Sequence, residues 1–152
     1  MENVGSIEIN RPIDDVFRAA VDYMPEWSLI VVEDEIIEPS PGVVGSTFRT
    51  VTEDKGNRMV FQGVVTQYDP PHVNAVHLSG DMFNIDTEFQ FEDLGGRTKV
   101  TQFAKVTGKG AFKFILWCMG WLMKKSHCQA TMRELESLKR YCESGVRTDA
   151  QA

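Results

Sequence analysis

MFNIDTEFQFE, residues 82–92, carries the most regular pattern in this chain of 152 residues. Apolar or small residues alternate there with polar and charged ones. This alternation predicts a half-buried antiparallel strand with an aromatic inner face and a polar outer face. The predicted inner-face residues are Phe83, Ile85, Thr87, Phe89 and Phe91.

A turn and a returning strand follow this run. Leu94-Gly95-Gly96 predicts the turn, and Arg97–Thr107 alternates in the same way. The two runs therefore predict an antiparallel hairpin. The residues on one face of its second strand are Thr98, Val100, Gln102, Ala104 and Val106.

Further strands are predicted on the N-terminal side of this hairpin. They are short runs with strand-like alternation or many Val and Ile residues, and turns rich in Pro, Gly and Asp separate several of them. These runs are Ser6–Asn10, Leu29–Glu38, Ser46–Glu53, Arg58–Tyr68 and Val73–Ser79. Together with the hairpin they predict a sheet of seven strands.

Helical periodicity appears in two places. Asn10-Arg11-Pro12 opens a first helix, which Met24-Pro25-Glu26-Trp27 breaks into a short pair. A long helix is predicted from Ala111 to about Glu143, with one broad apolar stripe. The stripe contains Phe114, Trp117, Cys118, Trp121, Cys128, Met132, Leu135, Leu138 and Cys142.

This order of elements predicts an α+β fold. A curved seven-stranded antiparallel sheet wraps around the long C-terminal helix, and the short helical pair follows the first strand. No repeat or linker divides the chain, so we expect one domain over residues 1–144 and a flexible tail over 145–152.

The composition excludes several classes of protein. The chain has 16 Lys and Arg against 22 Asp and Glu, and this acidic balance argues against general nucleic-acid binding. Its longest apolar run, Phe114–Met123, is shorter than the roughly 20 residues that a membrane-spanning helix needs. The N-terminus lacks the pattern of a signal peptide, and the cysteines have no disulfide spacing. We therefore expect a cytoplasmic protein.

Several motifs together resemble a known superfamily. They are I-x-I-x-R-P-I-D-D-V-F (Ile7–Phe17), P-G-V-V-G-S-x-F-R (Pro41–Arg49), V-V-T-Q-Y-D-P-P (Val64–Pro71), G-G-R-T-K-V-T (Gly95–Thr101) and the closing helix. In this order they resemble the START-related superfamily with the helix-grip fold (SRPBCC), which includes polyketide cyclases and dehydrases and lipid-transport domains. The resemblance implies a deep cavity between the sheet and the C-terminal helix. It brings no catalytic set with it, because the superfamily spans carriers, receptors and enzymes.

The inner face of the sheet and the C-terminal helix supply the predicted ligand cavity. Its candidate lining residues are Trp27, Phe83, Ile85, Thr87, Phe89, Phe91, Val100, Gln102, Ala104, Trp117, Trp121 and Met132. Ordinary core packing of large aromatics accounts for the same pattern. Where a cavity is open, we expect it to bind or transport a small hydrophobic molecule, such as a lipid, an isoprenoid or an aromatic polyketide-like compound, without a cofactor.

The alternative function is that of a cyclase or dehydratase acting in the same cavity. Its candidate polar groups are His77, Arg49 and Tyr68, while alternation places Glu88 on the outer face. The histidines have no metal-site spacing, and we expect no metal. The acidic run Glu33–Glu35 is typical of a solvated strand face.

The apolar run Phe114–Met123 exceeds what one buried stripe needs. Residues on its second side are Ile115, Leu116, Met119, Leu122 and Met123, and the flanking lysines include Lys113, Lys124 and Lys125. A helix that is apolar all round is buried on both sides or contacts a partner. The pattern fits burial under loops, a gate over the cavity, a homodimer interface, or contact with an anionic membrane surface.

Overall fold

The structure is a computed structural model that describes residues 2–144, except for the side chains of residues 119–124. The strands are β1 (Glu2–Ile9), β2 (Val31–Glu38), β3 (Thr47–Asp54), β4 (Asn57–Asp69), β5 (Val73–Ser79), β6 (Phe83–Asp93) and β7 (Thr98–Gly108). The helices are α1 (Ile13–Asp22), α2 (Met24–Trp27) and α3 (Ala111–Glu143). The predicted flexible tail, residues 145–152, lies outside the described residues.

The strands form one sheet in the order β1-β7-β6-β5-β4-β3-β2, and every neighbouring pair is antiparallel. Strands β2 to β7 are consecutive neighbours, and β1 joins the far side of β7. With α3 packed on β1 and β7, this confirms the predicted α+β helix-grip arrangement. Strand β1 begins at Glu2 instead of Ser6, because Glu2 still pairs with Lys105. Backbone pairing, which hydropathy does not report, extends this strand.

Helix α1 closes one end of the sheet. Pro12 precedes its first turn, and the Arg11 guanidinium lies 3.0 Å from the Asp15 carboxylate. The ring of Phe17 lies 5.1 Å from the ring of Phe91 on β6 and 5.8 Å from the ring of Tyr68 on β4. The apolar side of α1 thus reaches across the sheet and seals this end of the core.

Helix α3 approaches β1 closely at a glycine. A Cβ atom on Gly5 would lie 3.0 Å from Thr131 Cγ2, 3.2 Å from Met132 Sδ and 3.3 Å from a Leu135 methyl carbon. A hydrogen atom at this position therefore lets the helix lie directly on the strand. At the other end, Gly110 has a φ of 54°, a conformation that glycine adopts readily, and it leads the chain from β7 into α3.

The predicted apolar stripe of α3 holds only over the second half of the helix. Leu135, Leu138 and Cys142 are fully buried. The prediction is wrong for the first two turns, where Phe114 is 68% exposed and Trp117 is 79% exposed. The described contacts of α3 with the sheet involve mainly β1 and β7. The turns before that contact carry apolar side chains into solvent.

Within the part of the chain that the structure describes, no helix is long and apolar enough to cross a membrane.

Candidate functional site: the concave face of the sheet

Register defines the concave face. Gly5 lies against α3 and pairs with Gln102, which in turn pairs with Phe89. Because successive side chains alternate between faces, the predicted inner faces of β6 and β7 are the faces that α1 and α3 cover. The inward positions on these two strands are Phe83, Ile85, Thr87, Phe89, Phe91, Thr98, Val100, Gln102, Ala104 and Val106.

One end of this face is filled by side chains. Phe89, Phe91 and Val100 are buried in a cluster with residues of α1, α2 and the second half of α3. Trp27 belongs to the same cluster: it is 4% exposed, and its Nε1 donates a hydrogen bond of 2.9 Å to the Ala19 carbonyl. At these four predicted lining positions, the structure contains ordinary core packing.

The other end is only half-buried. Phe83, Ile85, Thr87, Gln102 and Ala104 keep part of their surface accessible, and so does Met132 on α3. Several inward side chains of the neighbouring strands have the same intermediate burial, while others such as Phe61 and Asn74 are buried. The half-buried ones include Phe48, Met59, Val65, Val76 and Leu78. The concave face therefore continues as a largely apolar surface beyond the sealed core.

A groove lies at the entrance to α3, next to this surface. It has a volume of about 590 Å³. Its apolar lining comes from Val106 on β7 and from Phe114, Leu116 and Trp117 on α3, and Lys113 lies at its side. Trp117, predicted as a cavity residue, thus lines this open groove. The side chain of Trp121, predicted for the same role, lies outside the described side chains.

Two of the three candidate catalytic groups lie on the opposite, convex face. His77 pairs with Asp86 on β6, and its Nδ1 lies 2.6 Å from the Asp86 carboxylate. Arg49 lies 3.6 Å from the Glu33 carboxylate on the same convex side. Tyr68 faces inward, but its ring packs on Phe17 at the sealed end. None of these three groups belongs to the half-buried surface.

The acidic run on β2 was predicted to be solvated, and Asp34 is exposed, although its register on this edge strand turns it toward the concave side. Asp34 on β2 pairs with Thr50 on β3, and the Thr50 hydroxyl donates a hydrogen bond of 2.7 Å to its Oδ1. Burial raises the pKa of Asp34, and the Thr50 hydrogen bond partly opposes this rise. Hydropathy gave no signal for this placement, because most of β2 is exposed on both faces.

The described side chains of the predicted partner surface are accessible. Ile115 is exposed, Leu116 is half-buried, and Lys113 and Lys125 are exposed. The side chains of the other predicted members lie outside the described ones, namely Met119, Leu122, Met123 and Lys124. Among the described residues, no group of three or more His, Cys, Asp or Glu is placed to hold a metal ion.

A curved antiparallel sheet, a long helix lying along one edge strand, and an apolar concave face that core packing only partly fills define a helix-grip domain. The chain belongs to the polyketide cyclase / dehydrase and lipid transport family, whose model matches residues 3–143. No curated protein matches the chain.

Solved structures show the same fold at low sequence identity. TTHA0849 from Thermus thermophilus is 16% identical, with a TM-score of 0.77 and coverage of 96% of this chain and 99% of that one. A START superfamily protein from Mycobacterium smegmatis is 18% identical, with a TM-score of 0.77 and coverages of 94% and 97%. The Zhui aromatase/cyclase from Streptomyces sp. R1128 is 14% identical, with a TM-score of 0.74 and coverages of 97% and 96%.

Proposed function

We propose that the protein binds a small, predominantly apolar molecule on the half-buried part of the concave face and carries it unchanged. The observation that carries this proposal is the incomplete burial of Phe83, Ile85 and Leu78 on a face that α1 and α3 otherwise seal. A ligand covering such side chains gains roughly 25 cal/mol per Å² of apolar surface removed from water. A lipid, an isoprenoid or an aromatic polyketide-like compound fits this chemistry, and the family's description includes lipid transport.

Native mass spectrometry of protein purified under mild conditions tests this proposal. We expect a co-purifying hydrophobic compound, or uptake of the probe 1-anilinonaphthalene-8-sulfonate by empty protein. Ile85→Asp should remove binding, because it places a charge on the concave face. Val60→Asp is the matched control, since Val60 is an exposed apolar residue on the convex face. An empty protein that takes up no probe, or equal effects of the two variants, would contradict the proposal.

A second candidate is an acid–base enzyme of the cyclase or dehydratase type. Asp34 favours it, because a carboxyl with a raised pKa on the concave side is suited to donate a proton. One structural neighbour is an aromatase/cyclase. Turnover of a linear poly-β-ketone that is lost in Asp34→Asn would support this candidate. Turnover that the substitution leaves unchanged would remove Asp34 from the reaction.

We further propose that the first turns of α3 dock on an anionic membrane surface, where an apolar ligand is taken up or released. Phe114, Ile115 and Trp117 are exposed beside Lys109 and Lys113. Exposed aromatic and aliphatic side chains next to lysines are suited to the boundary between lipid headgroups and acyl chains. Cys118, Cys128 and Cys142 are free thiols, which are typical of proteins in the reducing cytoplasm. A cytoplasmic location is consistent with the proposed docking.

The distribution of charge supports an anionic partner. Residues 94–133 contain no Asp or Glu but hold eight of the 16 Lys and Arg, while all 22 acidic residues lie elsewhere. This segment includes the exposed start of α3. A protein with an acidic net charge therefore has a basic region around its most exposed apolar side chains, and the charge is complementary to anionic lipid.

Sedimentation with vesicles of phosphatidylglycerol and phosphatidylcholine tests the docking. Lys109→Glu/Lys113→Glu should abolish binding, whereas Lys55→Glu/Arg140→Glu makes the same change in net charge outside this segment and should reduce it less. Phosphatidylcholine vesicles alone should bind weakly. A concentration-dependent dimer that Trp117→Ser dissociates, without vesicle binding, would assign this surface to a homodimer instead.

A further inference from the structure

Three buried polar atoms on the helix side of the sheet have no hydrogen-bond partner among the described residues. They are Asn3 Oδ1 on β1, Gln102 Oε1 on β7 and His127 Nε2 on α3. A buried polar atom without a partner is uncommon in folded proteins because it loses its hydrogen bonds to water and gains none. Such an atom calls for an ordered water or a bound polar group that completes it.

Register places two of these atoms on the same patch of the concave face. Gly5 faces α3 and pairs with Gln102, and Asn3 is two residues before Gly5 on the same strand. Alternation gives Asn3, Gly5 and Gln102 the same inward direction. The amide groups of Asn3 and Gln102 therefore lie on neighbouring strands. They are offset by the two residues that separate Asn3 from Gly5, the residue that pairs with Gln102.

Packing of α3 along β1 brings His127 to the same patch. The two elements run in the same direction, because Gly5 contacts Thr131 and Leu135 while Lys139 Nζ donates a hydrogen bond of 3.0 Å to the Glu8 carbonyl. A strand rises roughly 3.3 Å per residue and a helix roughly 1.5 Å per residue. Two residues of β1 therefore span about the same length as four residues of α3. The step from Gly5 back to Asn3 thus corresponds to the step from Thr131 back to His127, one helical turn earlier.

The surroundings of this patch are mainly apolar. Ala104 pairs with Asn3, and the helix residues near Gly5 are Thr131, Met132 and Leu135. Burial lowers the pKa of His127, so its imidazole is neutral at physiological pH, with one N–H donor and one acceptor nitrogen. The patch therefore combines two side-chain amides, each with an acceptor oxygen and a donor NH₂ group, and an imidazole that donates or accepts.

A hydroxyl group suits this set, because it can donate its one hydrogen bond to an amide oxygen and accept from the imidazole or from an amide NH₂ group. We propose that Asn3, Gln102 and His127 form a polar subsite that binds a hydroxyl group of an otherwise apolar ligand. This inference rests on the proposed binding function and specifies its ligand: an alcohol or phenol, with the carbon skeleton on the half-buried concave face.

Competition of paired compounds against bound 1-anilinonaphthalene-8-sulfonate tests the subsite. The pairs are 2-naphthol with naphthalene and 1-dodecanol with dodecane. We expect the hydroxylated member to bind about tenfold more tightly, the amount that one added hydrogen bond typically contributes. A larger difference in affinity within the naphthol pair would indicate an aromatic alcohol as the ligand. A larger difference within the dodecanol pair would indicate an aliphatic alcohol.

Substitution of Gln102 tests whether the preference for the hydroxylated compound arises at this patch. Gln102→Met keeps the length of the side chain and removes the amide, so it should weaken the hydroxylated compound about tenfold and leave its partner within about twofold. Gln62→Met is the control, since Gln62 is exposed on the convex face. Asn3→Leu provides a second variant if Gln102→Met fails to fold, as judged by circular dichroism.

The outcomes separate the subsite from the binding function. Equal affinity for both members of each pair, or equal weakening of both by Gln102→Met, would overturn the subsite and leave the binding function standing. Failure of every compound to displace the probe from wild-type protein would count against both. Loss of discrimination in Gln102→Met alone, with Gln62→Met unchanged, is the result the subsite predicts.

Discussion

The carboxylate of Glu134 on α3 receives two hydrogen bonds from the segment between α2 and β2: the Ser28 hydroxyl donates at 2.7 Å and the Leu29 N–H donates at 2.6 Å. Ser28 Oγ in turn accepts from the N–H groups of Ile30 and Val31. This contact joins residues more than 100 positions apart in the sequence. It fixes the helix over the concave face at the level where β2 begins.

Removal of the Glu134 carboxylate should weaken the contact between α3 and the segment that joins α2 to β2. Glu134→Ala leaves the Ser28 and Leu29 donors without their acceptor, so we expect a loss of about 1–3 kcal/mol in the free energy of unfolding, measured by urea denaturation. Glu134→Gln keeps one acceptor oxygen and should lose less. Equal losses in Glu136→Ala, whose side chain is exposed on the same helix, would contradict a specific role for Glu134.

Glu134 should also impose a pH dependence on stability. Burial raises the pKa of Glu134 above its ordinary value of 4.5, while the hydrogen bonds from Ser28 and Leu29 partly oppose this. The folded protein therefore holds the Glu134 proton to a higher pH than the unfolded chain does. Its contribution to the free energy of unfolding falls as pH rises from 4.5 through the folded-state pKa. Across this window, the free energy of unfolding of wild type should fall with rising pH relative to that of Glu134→Gln, which has no carboxyl to titrate.

The close approach of α3 to β1 depends on the missing side chain at Gly5. Gly5→Ala places a Cβ within 3.0–3.3 Å of Thr131, Met132 and Leu135. We expect a loss of about 1–3 kcal/mol, typical of overpacking. Ser6→Ala on the exposed face of the same strand is the control and should change stability little. An unchanged melting temperature in Gly5→Ala would show that α3 yields at this point.

The cysteines should differ in reactivity. Cys118 is exposed, whereas Cys142 is fully buried and burial raises the pKa of its thiol to about 12. Because the thiolate is the reactive form, iodoacetamide should label Cys118 first and leave Cys142 unmodified until the protein unfolds. Peptide mass spectrometry at timed intervals measures this order. Rapid labelling of Cys142 in native buffer would contradict the packing of α3 against α1.

The hydrogen bond between Thr50 and Asp34 should be visible in a titration. It lowers the pKa of Asp34 and so opposes the dominant effect of burial. Thr50→Val removes the hydroxyl and keeps the shape, so the pKa of Asp34 should rise further. Carboxyl resonances followed by nuclear magnetic resonance report this shift.

The alternation in residues 82–92 predicted the inner face of β6 correctly, and the pattern of Arg97–Thr107 did the same for β7. Both predictions succeeded because each strand has one face toward the core and one toward solvent, so hydropathy reports the direction of every side chain. The sequence also predicted where α3 begins and ends, since Gly110 precedes it and a Ser-Gly pair follows it.

The same reasoning failed where burial does not alternate. Strand β2 is exposed on both faces and carries two register shifts, so its pattern does not reveal that Asp34 faces inward. The first turns of α3 are apolar on every side. Their hydropathy therefore has no periodicity from which the exposed side chains could be predicted. His77 and Arg49 were candidates for a cavity because residue type alone does not give a face; the register places them on the convex side.

The sequence by itself determined the order of strands and helices and the aromatic identity of one sheet face, because local periodicity reflects which side of an element is buried. Only the tertiary structure decided how that face is divided between a sealed core and a half-buried surface, since filling depends on where α1 and α3 lie. It also brought Asn3, Gln102 and His127 to one patch. Their proximity comes from strand register and helix packing, which connect residues too far apart in the chain for any local pattern to relate.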